Sequence, residues 1–242
     1  MWLRMRRAAE HPAATRQQLL AAGAVVFAAR GFREATVREI CRQAGSNVAA
    51  VNYHFGGKDG LYAEVLAEGQ RRMHGPIPVP AVGNGSATER LEEFVRGFLE
   101  RVLTESSESC HAQLMFRELI EPTAALDRVV AEFIRPGAVA LGEIVDELLG
   151  PGFTVRERQR VGLSIVSQIL NYKHCRPVIE RLFPDLPMDA GQIESLTRHI
   201  TDFSVAAIQG LRRARARAES QAQAQAGGGK LKPPGRARRN GK

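Results

Sequence analysis

The chain carries only three cysteines in 242 residues, Cys41, Cys110 and Cys175. They are odd in number, far apart and never paired as CxxC, so neither a disulfide framework nor a metal finger is encoded, and a reducing cytoplasm is the expected compartment. No apolar run reaches the roughly 18 residues of a membrane span. The N-terminal MWLRMRRAAEHP is basic but lacks an apolar stretch after the charges, so it does not read as a secretory signal. Catalytic signatures are missing too: there is no Gly-rich phosphate loop, no HExxH and no G-x-S-x-G elbow. Glu118 and Glu121 mimic part of a di-iron site, but such a centre needs two Glu-x-x-His motifs and none is present. No segment alternates as a convincing strand. The expected fold class is all-α, with no cofactor and no metal.

The net charge of +8 is unevenly spread. Residues 1–74 hold eleven basic and six acidic side chains, residues 75–211 hold thirteen and nineteen, and residues 212–242 hold ten against Glu219 alone. A basic head, an acidic middle and a basic tail suggest a DNA-binding module on a body with another task. A protein that coats nucleic acid would be basic throughout.

The densest local signal is TVREICRQAGSNVAAVNYHF, Thr36 to Phe55. Thr36 and Glu39 form a capping box, and Val37, Ile40 and Ala44 give the following helix one apolar face. Gly45 suits a left-handed exit, and Asn47 suits the cap of a second helix, Val48 to His54, with Val51 and Phe55 facing inward. Helices this short need a packing partner. A first helix, expected to be capped by Thr15-x-x-Gln18 and to end near Gly31, and a fourth through Leu61, Val65 and Leu66 supply it. Two helices around so tight a turn predict a helix-turn-helix whose second helix enters the major groove.

Beyond the Pro/Gly-rich stretch 75–86, helical stripes recur. Leu91 to Val102 and Leu114 to Ile120 are followed by Leu126 to Ile134, with a break or kink expected at Pro136. Val139 to Leu149, Val155 to Tyr172, a short piece near Val178 to Phe183 and a last helix from Asp189 to Arg217 complete the pattern. From Gln221 onward the low-complexity, basic sequence is expected to be disordered. The implied division is a head over 13–74, a body over 87–217 and a tail over 218–242.

The head resembles the DNA-binding domain of the TetR family of bacterial transcription regulators. The matching residues are Phe27-x-x-x-Gly31-Phe32, Ala35-Thr36-Val37-x-x-Ile40, Ala44-Gly45 and Val51-Asn52-Tyr53-His54-Phe55-x-x-Lys58-x-x-Leu61. The runs FRELIEPTAALDRVVAEFIRP, IVDELLG and SIVSQILNYKHCRPVIERLFP are similar to the ligand-binding domain of CecR-type members over about 90–205. The resemblance implies a homodimer on a palindromic double-stranded operator, answering to a small-molecule effector. It also implies a four-helix interface from Val155–Tyr172 and Asp189–Arg217. Val161, Leu163, Ile165, Val166, Ile169, Leu196, Ile200, Phe203, Ala207 and Leu211 would be divided between core and partner, and the small Gly162, Ser164 and Ser167 would permit close approach.

For DNA, the surface of the reading helix is Asn47, Val48, Ala49, Ala50, Asn52, Tyr53 and His54. Many family members have lysine, glycine and threonine where this chain has Val48, Ala49 and Ala50, so readout would rest on thymine methyl contacts and on Asn52 pairing with adenine. By similarity Thr36, Tyr53, His54 and Lys58 hold phosphates; a structural histidine and a core tyrosine are the alternatives for His54 and Tyr53. Arg4, Arg6 and Arg7 are further candidates, as is the basic tail. For an effector, Phe94, Phe98, Met115, Phe116, Phe133, Tyr172 and His174 are candidates, with Arg117 or Glu118 as polar partners; plain core is the alternative. Cys110-His111 and His174-Cys175 do not suggest a metal, because adjacent helical residues diverge by about 100°. The competing classes are a sequence-tolerant architectural protein using the basic tail and an all-α enzyme.

Overall fold

The computed structural model describes residues 12–73, 85–104, 109–186 and 190–228. All secondary structure among them is helical. The head comprises α1 (Pro12–Glu34), α2 (Val37–Ala44), α3 (Val48–Phe55) and α4 (Lys58–Met73). The body comprises α5 (Ala87–Thr104), α6 (Cys110–Ile120), α7 (Ala125–Val129), α8 (Arg135–Leu149), α9 (Val155–His174), α10 (Arg176–Leu182) and α11 (Ile193–Gly228). The candidates Arg4, Arg6 and Arg7 and most of the 75–86 stretch lie outside the described residues.

Local signals placed several boundaries correctly. Gly31 breaks the helical path of α1 at φ 74°. Thr36 accepts the Glu39 N–H at 3.2 Å, so it caps α2. The reading of Thr15 as a cap fails: α1 already begins at Pro12, a residue that suits a first turn because it has no N–H to leave unsatisfied. Nor does Pro136 end its helix. A π-turn, Val130–Ile134, carries α7 into α8 and places Pro136 in the first turn of α8. The wider turn relieves the clash a proline makes with the preceding turn. The last helix begins at Ile193 after a 3-10 turn at Ala190–Gln192, and it continues to Gly228, past the point where disorder is expected. Its Ala/Gln repeat has good intrinsic helix propensity, which explains the extension. Residues 229–242 lie outside the described residues.

Two apolar cores result. In the head, Leu19, Phe27, Ile40, Val51, Leu61 and Leu66 are sealed, but Leu114 of α6 and Ala125 and Val129 of α7 belong to the same cluster. The head core is therefore closed by body helices, across the 13–74 and 87–217 division. The second core gathers α5, α8, α9 and α11 around Leu91, Val95, Leu99, Ile144, Ile165, Ile169 and Ile200.

Body connectivity fixes a direction. Near the start of α5, Arg90 pairs with Glu147 late in α8. Early in α9, Glu157 pairs with Arg215 of α11. α9 then returns until the His174 ring lies 6.2 Å from Phe116 on α6, the helix packed against α1. The body thus has one pole on the head and another at the α8–α9 turn.

Candidate nucleic-acid interface

The reading helix α3 is held by its ends and one buried side chain. Asn47 accepts the Ala50 N–H at 2.9 Å, and Gly45 exits α2 at φ 64°. The Gly45 N–H returns to Arg42 O, and the Ser46 N–H returns to Cys41 O at 2.9 Å. Val51 is fully buried against the core, and Phe55 packs beside it with the Arg16 guanidinium over its ring at 5.4 Å. α3 packs on α1, α2 and α4.

The opposite face is open. Asn47, Val48, Ala49, Asn52 and Tyr53 are exposed and His54 is half-buried. Tyr53 is 81% exposed, which rules out its reading as a core aromatic; its ring meets His54 edge-on at 4.9 Å. Three sequence candidates need revision. Asn47 spends its side-chain oxygen on the cap, leaving the amide NH₂ toward solvent. Ala50 is half-buried and packs on the head core, so little of it remains for a base edge. Lys58 is half-buried: its ammonium donates to the Arg33 carbonyl at 3.1 Å and lies 4.7 Å from the Phe32 ring centre. It closes the end of α1 as well as beginning α4. Sequence reading overlooked Arg38 and Arg42, both exposed on α2 and four residues apart. That i, i+4 spacing opposite the apolar face was the available signal.

The effector candidates do not converge. Phe94 is buried, and Phe94, Phe98 and Tyr172 pack in or on the body core, with Phe94 and Phe98 edge-on at 6.0 Å. Met115 packs on the head core instead. Phe133 is half-buried on the π-turn, and Phe116 and His174 are exposed. Helical spacing marks these residues as apolar but cannot say which core each faces. The proposed polar partners are also committed. Glu118 is fully buried and accepts from Tyr62 Oη at 2.7 Å, from Thr123 Oγ1 at 3.0 Å and from the Thr123 N–H at 3.1 Å. Burial, then the Glu118 hydrogen bond, pushes the Tyr62 hydroxyl well above the ordinary tyrosine range. Arg117 donates to the Ala29 carbonyl at 3.4 Å. A cleft of about 950 Å³ opens at this junction, bordered by Phe32, Tyr62, Arg117, Ile120 and Arg128; of the effector candidates, Phe116 lines it.

Among the described residues, no three His, Cys, Asp or Glu side chains gather as a metal site, and no helix is long and apolar enough to cross a membrane.

Comparison with known proteins places this geometry. Residues 19–65 match the family described as bacterial regulatory proteins, tetR family. Residues 87–208, half of the chain, match the C-terminal domain of the HTH-type transcriptional dual regulator CecR. CecR of Shigella flexneri is 32% identical over 133 residues, covering 50% of this chain and 58% of CecR, so the match spans little over half of that relative. The uncharacterized HTH-type transcriptional regulator TtgW of Pseudomonas putida is 30% identical over 125 residues, covering 52% of this chain and 90% of TtgW. A crystal structure of a tetR-family regulatory protein from Rhodococcus superposes with TM-score 0.56 at 19% identity, over 80% of this chain and 96% of that one, a likeness of fold. The chain therefore belongs to the TetR family of bacterial regulatory proteins, with that family's helix-turn-helix DNA-binding domain joined to a CecR-type C-terminal domain.

Proposed function

We propose that the chain is a ligand-responsive transcriptional repressor that binds a palindromic operator as a homodimer. The observation that carries this reading is the outer face of α3, where Asn52, Tyr53, Val48 and Ala49 stand clear while Val51 anchors the helix. Val48 and Ala49 suit thymine methyl groups, and the Asn52 amide suits adenine. Exposed Arg38, Arg42 and Tyr53 suit the flanking phosphates, with the capped α2 beside them. Repression would follow from occupying DNA that a polymerase needs.

The dimer reading is supported by α11, whose apolar stripe is wider than the part the body core covers. Leu196, Ile200 and Ile208 face the body core, while Phe203, Ala207 and Leu211 are exposed at four-residue intervals. On α9, Ile165 and Ile169 are buried, whereas Leu163 is 65% exposed beside the small exposed residues Ser164 and Ser167. Large apolar side chains left exposed along the edge of a buried stripe call for a second packing partner. Effector response would act where head and body meet, because Tyr62–Glu118 and Glu64–Arg128 join α4 to α6 and α7. A ligand favouring one arrangement there would shift the spacing of the two reading helices.

Selection of bound sites from random DNA tests this reading. The expected product is a palindrome whose half-site centres lie about 34–36 Å apart or a multiple of it. Enrichment without any consensus supports the architectural alternative, and recovery of no duplex removes the DNA reading.

A further inference from the structure

We propose that the cleft between head and body is a binding site for a small organic anion with an apolar body, set outside the body core and in direct contact with the head. Its walls come from both units: Phe32 of α1 and Ala63 of α4 on one side, Phe116 and Ile120 of α6 with Ala124 on the other. At about 950 Å³ it falls within the roughly 300–1,000 Å³ of small-molecule sites. Phe116 and Ile120 lie four residues apart on α6 and remain 53% and 62% exposed, while Leu114 on the same helix is sealed in the head core. α6 thus spends one apolar face on the fold and offers a second to the cleft.

Charge fixes the ligand class. Arg117 reaches from α6 across to α1, where one N–H meets the Ala29 carbonyl at 3.4 Å, a long contact. Gly31 leaves room for the guanidinium, since a Cβ there would stand 3.2 Å from Nη1. No carboxylate among the described residues pairs with Arg117, so most of its five-donor fork is open to a bidentate acceptor. Exposed Arg33 lines the same cleft and is likewise unpaired by an acid among the described residues, whereas Arg128 is taken by Glu64 and Glu132. Of the acids nearby, Glu118 is closed by Tyr62 and Thr123. Asp59 and Glu121 line the cleft but are exposed, and Asp59 belongs to the first turn of α4, where the helix dipole already favours its charge. A carboxylate, sulfonate or phosphate head on a ring or branched chain matches a guanidinium flanked by apolar walls.

Occupancy would reach DNA through α4, which packs on α3 and forms part of the head wall. A guest that bridges α1 and α6 favours one arrangement of head on body. That consequence rests on the regulatory reading above; the binding does not.

The test titrates full-length protein with three fluorescent probes: anilinonaphthalene sulfonate, its neutral parent phenylnaphthylamine, and a cationic rhodamine. One saturable sulfonate site per chain is expected. Arg117→Gln should raise the sulfonate dissociation constant about tenfold or more, the worth of a charge-assisted hydrogen bond, and leave the neutral probe unchanged. Ala124→Trp, which fills the cleft from an exposed position, should weaken both. Unchanged sulfonate affinity in both variants overturns the site. An equal loss of sulfonate and neutral probe in Arg117→Gln, or tighter binding of the rhodamine than of the sulfonate, overturns the anion assignment. Operator affinity is then measured with the sulfonate saturating, and a change of about fivefold or more is expected. Probe bound with operator affinity unchanged overturns the effector response at this junction and leaves the site standing. Should no operator be held at all, the head reading fails separately, and the probe titration still decides the site.

Discussion

Asn52 is exposed while its neighbour Val51 anchors α3 in the core, and the proposed function has its amide meet a base. A single amide on a rigid, capped helix is a specific reader, since its donor and acceptor match adenine in the major groove. Asn52→Ala should relax preference at one base pair, with about 1–3 kcal/mol of discrimination lost. Site selection checks this, and an unchanged consensus removes Asn52 from the interface. Lys58 has a structural role in the contacts it makes, and the phosphate role expected from the sequence can be separated from it by experiment. Lys58→Ala should cost about 1 kcal/mol in urea unfolding, through loss of the Arg33 carbonyl contact and the Phe32 ring. It should also weaken binding to every duplex and lower the salt slope by about 0.9. A stability loss with an unchanged slope would confine Lys58 to the fold.

At the scale of elements, α4 matters most because it belongs to the head and bonds to the body. Tyr62→Phe removes a donor from the fully buried Glu118 and should destabilise by about 1–3 kcal/mol, read by denaturant unfolding. Wild-type stability in this variant would mean that the pair contributes nothing net. Glu64 joins α1, α4 and α7 through Arg16, Arg71 and Arg128. Burial pushes its carboxyl up, but the Arg128 hydrogen bond and the three guanidinium charges together hold it below the ordinary 4.5. A carboxyl depressed in the folded state contributes stability fully present above its unfolded value and lost as pH falls through the folded one. Stability should therefore decline below about pH 4.5, and Glu64→Gln should flatten that part of the profile. An identical profile in the variant would assign acid sensitivity to other groups.

For the whole molecule, polarity is the organising fact. The reading surface and the exit of α11 lie at opposite poles, and the exposed side of α9 and α11 runs between them. Phe203→Glu places a charge where Phe203 is 59% exposed in the single chain. If that side is the dimer face, sedimentation should show a monomer, and operator affinity should fall with it because two half-sites no longer act together. An intact dimer would move the interface elsewhere.

The sequence by itself determined what is local. Capping at Thr36 and Asn47, the glycine exits at Gly31 and Gly45, and the inward turn of Val51 depend on a few neighbouring residues and short-range hydrogen bonds, so the reading helix and its open face were legible. Thr15 misled because a cap is defined by where the helix begins, and Pro12 begins it earlier. Tertiary structure alone decided the long-range questions. Met115 serves the head core and Phe94 the body core, Glu118 is sealed by a tyrosine 56 residues away, and α11 leaves the body at the far pole. Spacing along one helix specifies which residues share a face; the neighbour that face meets depends on contacts between segments distant in the chain, which no local pattern encodes.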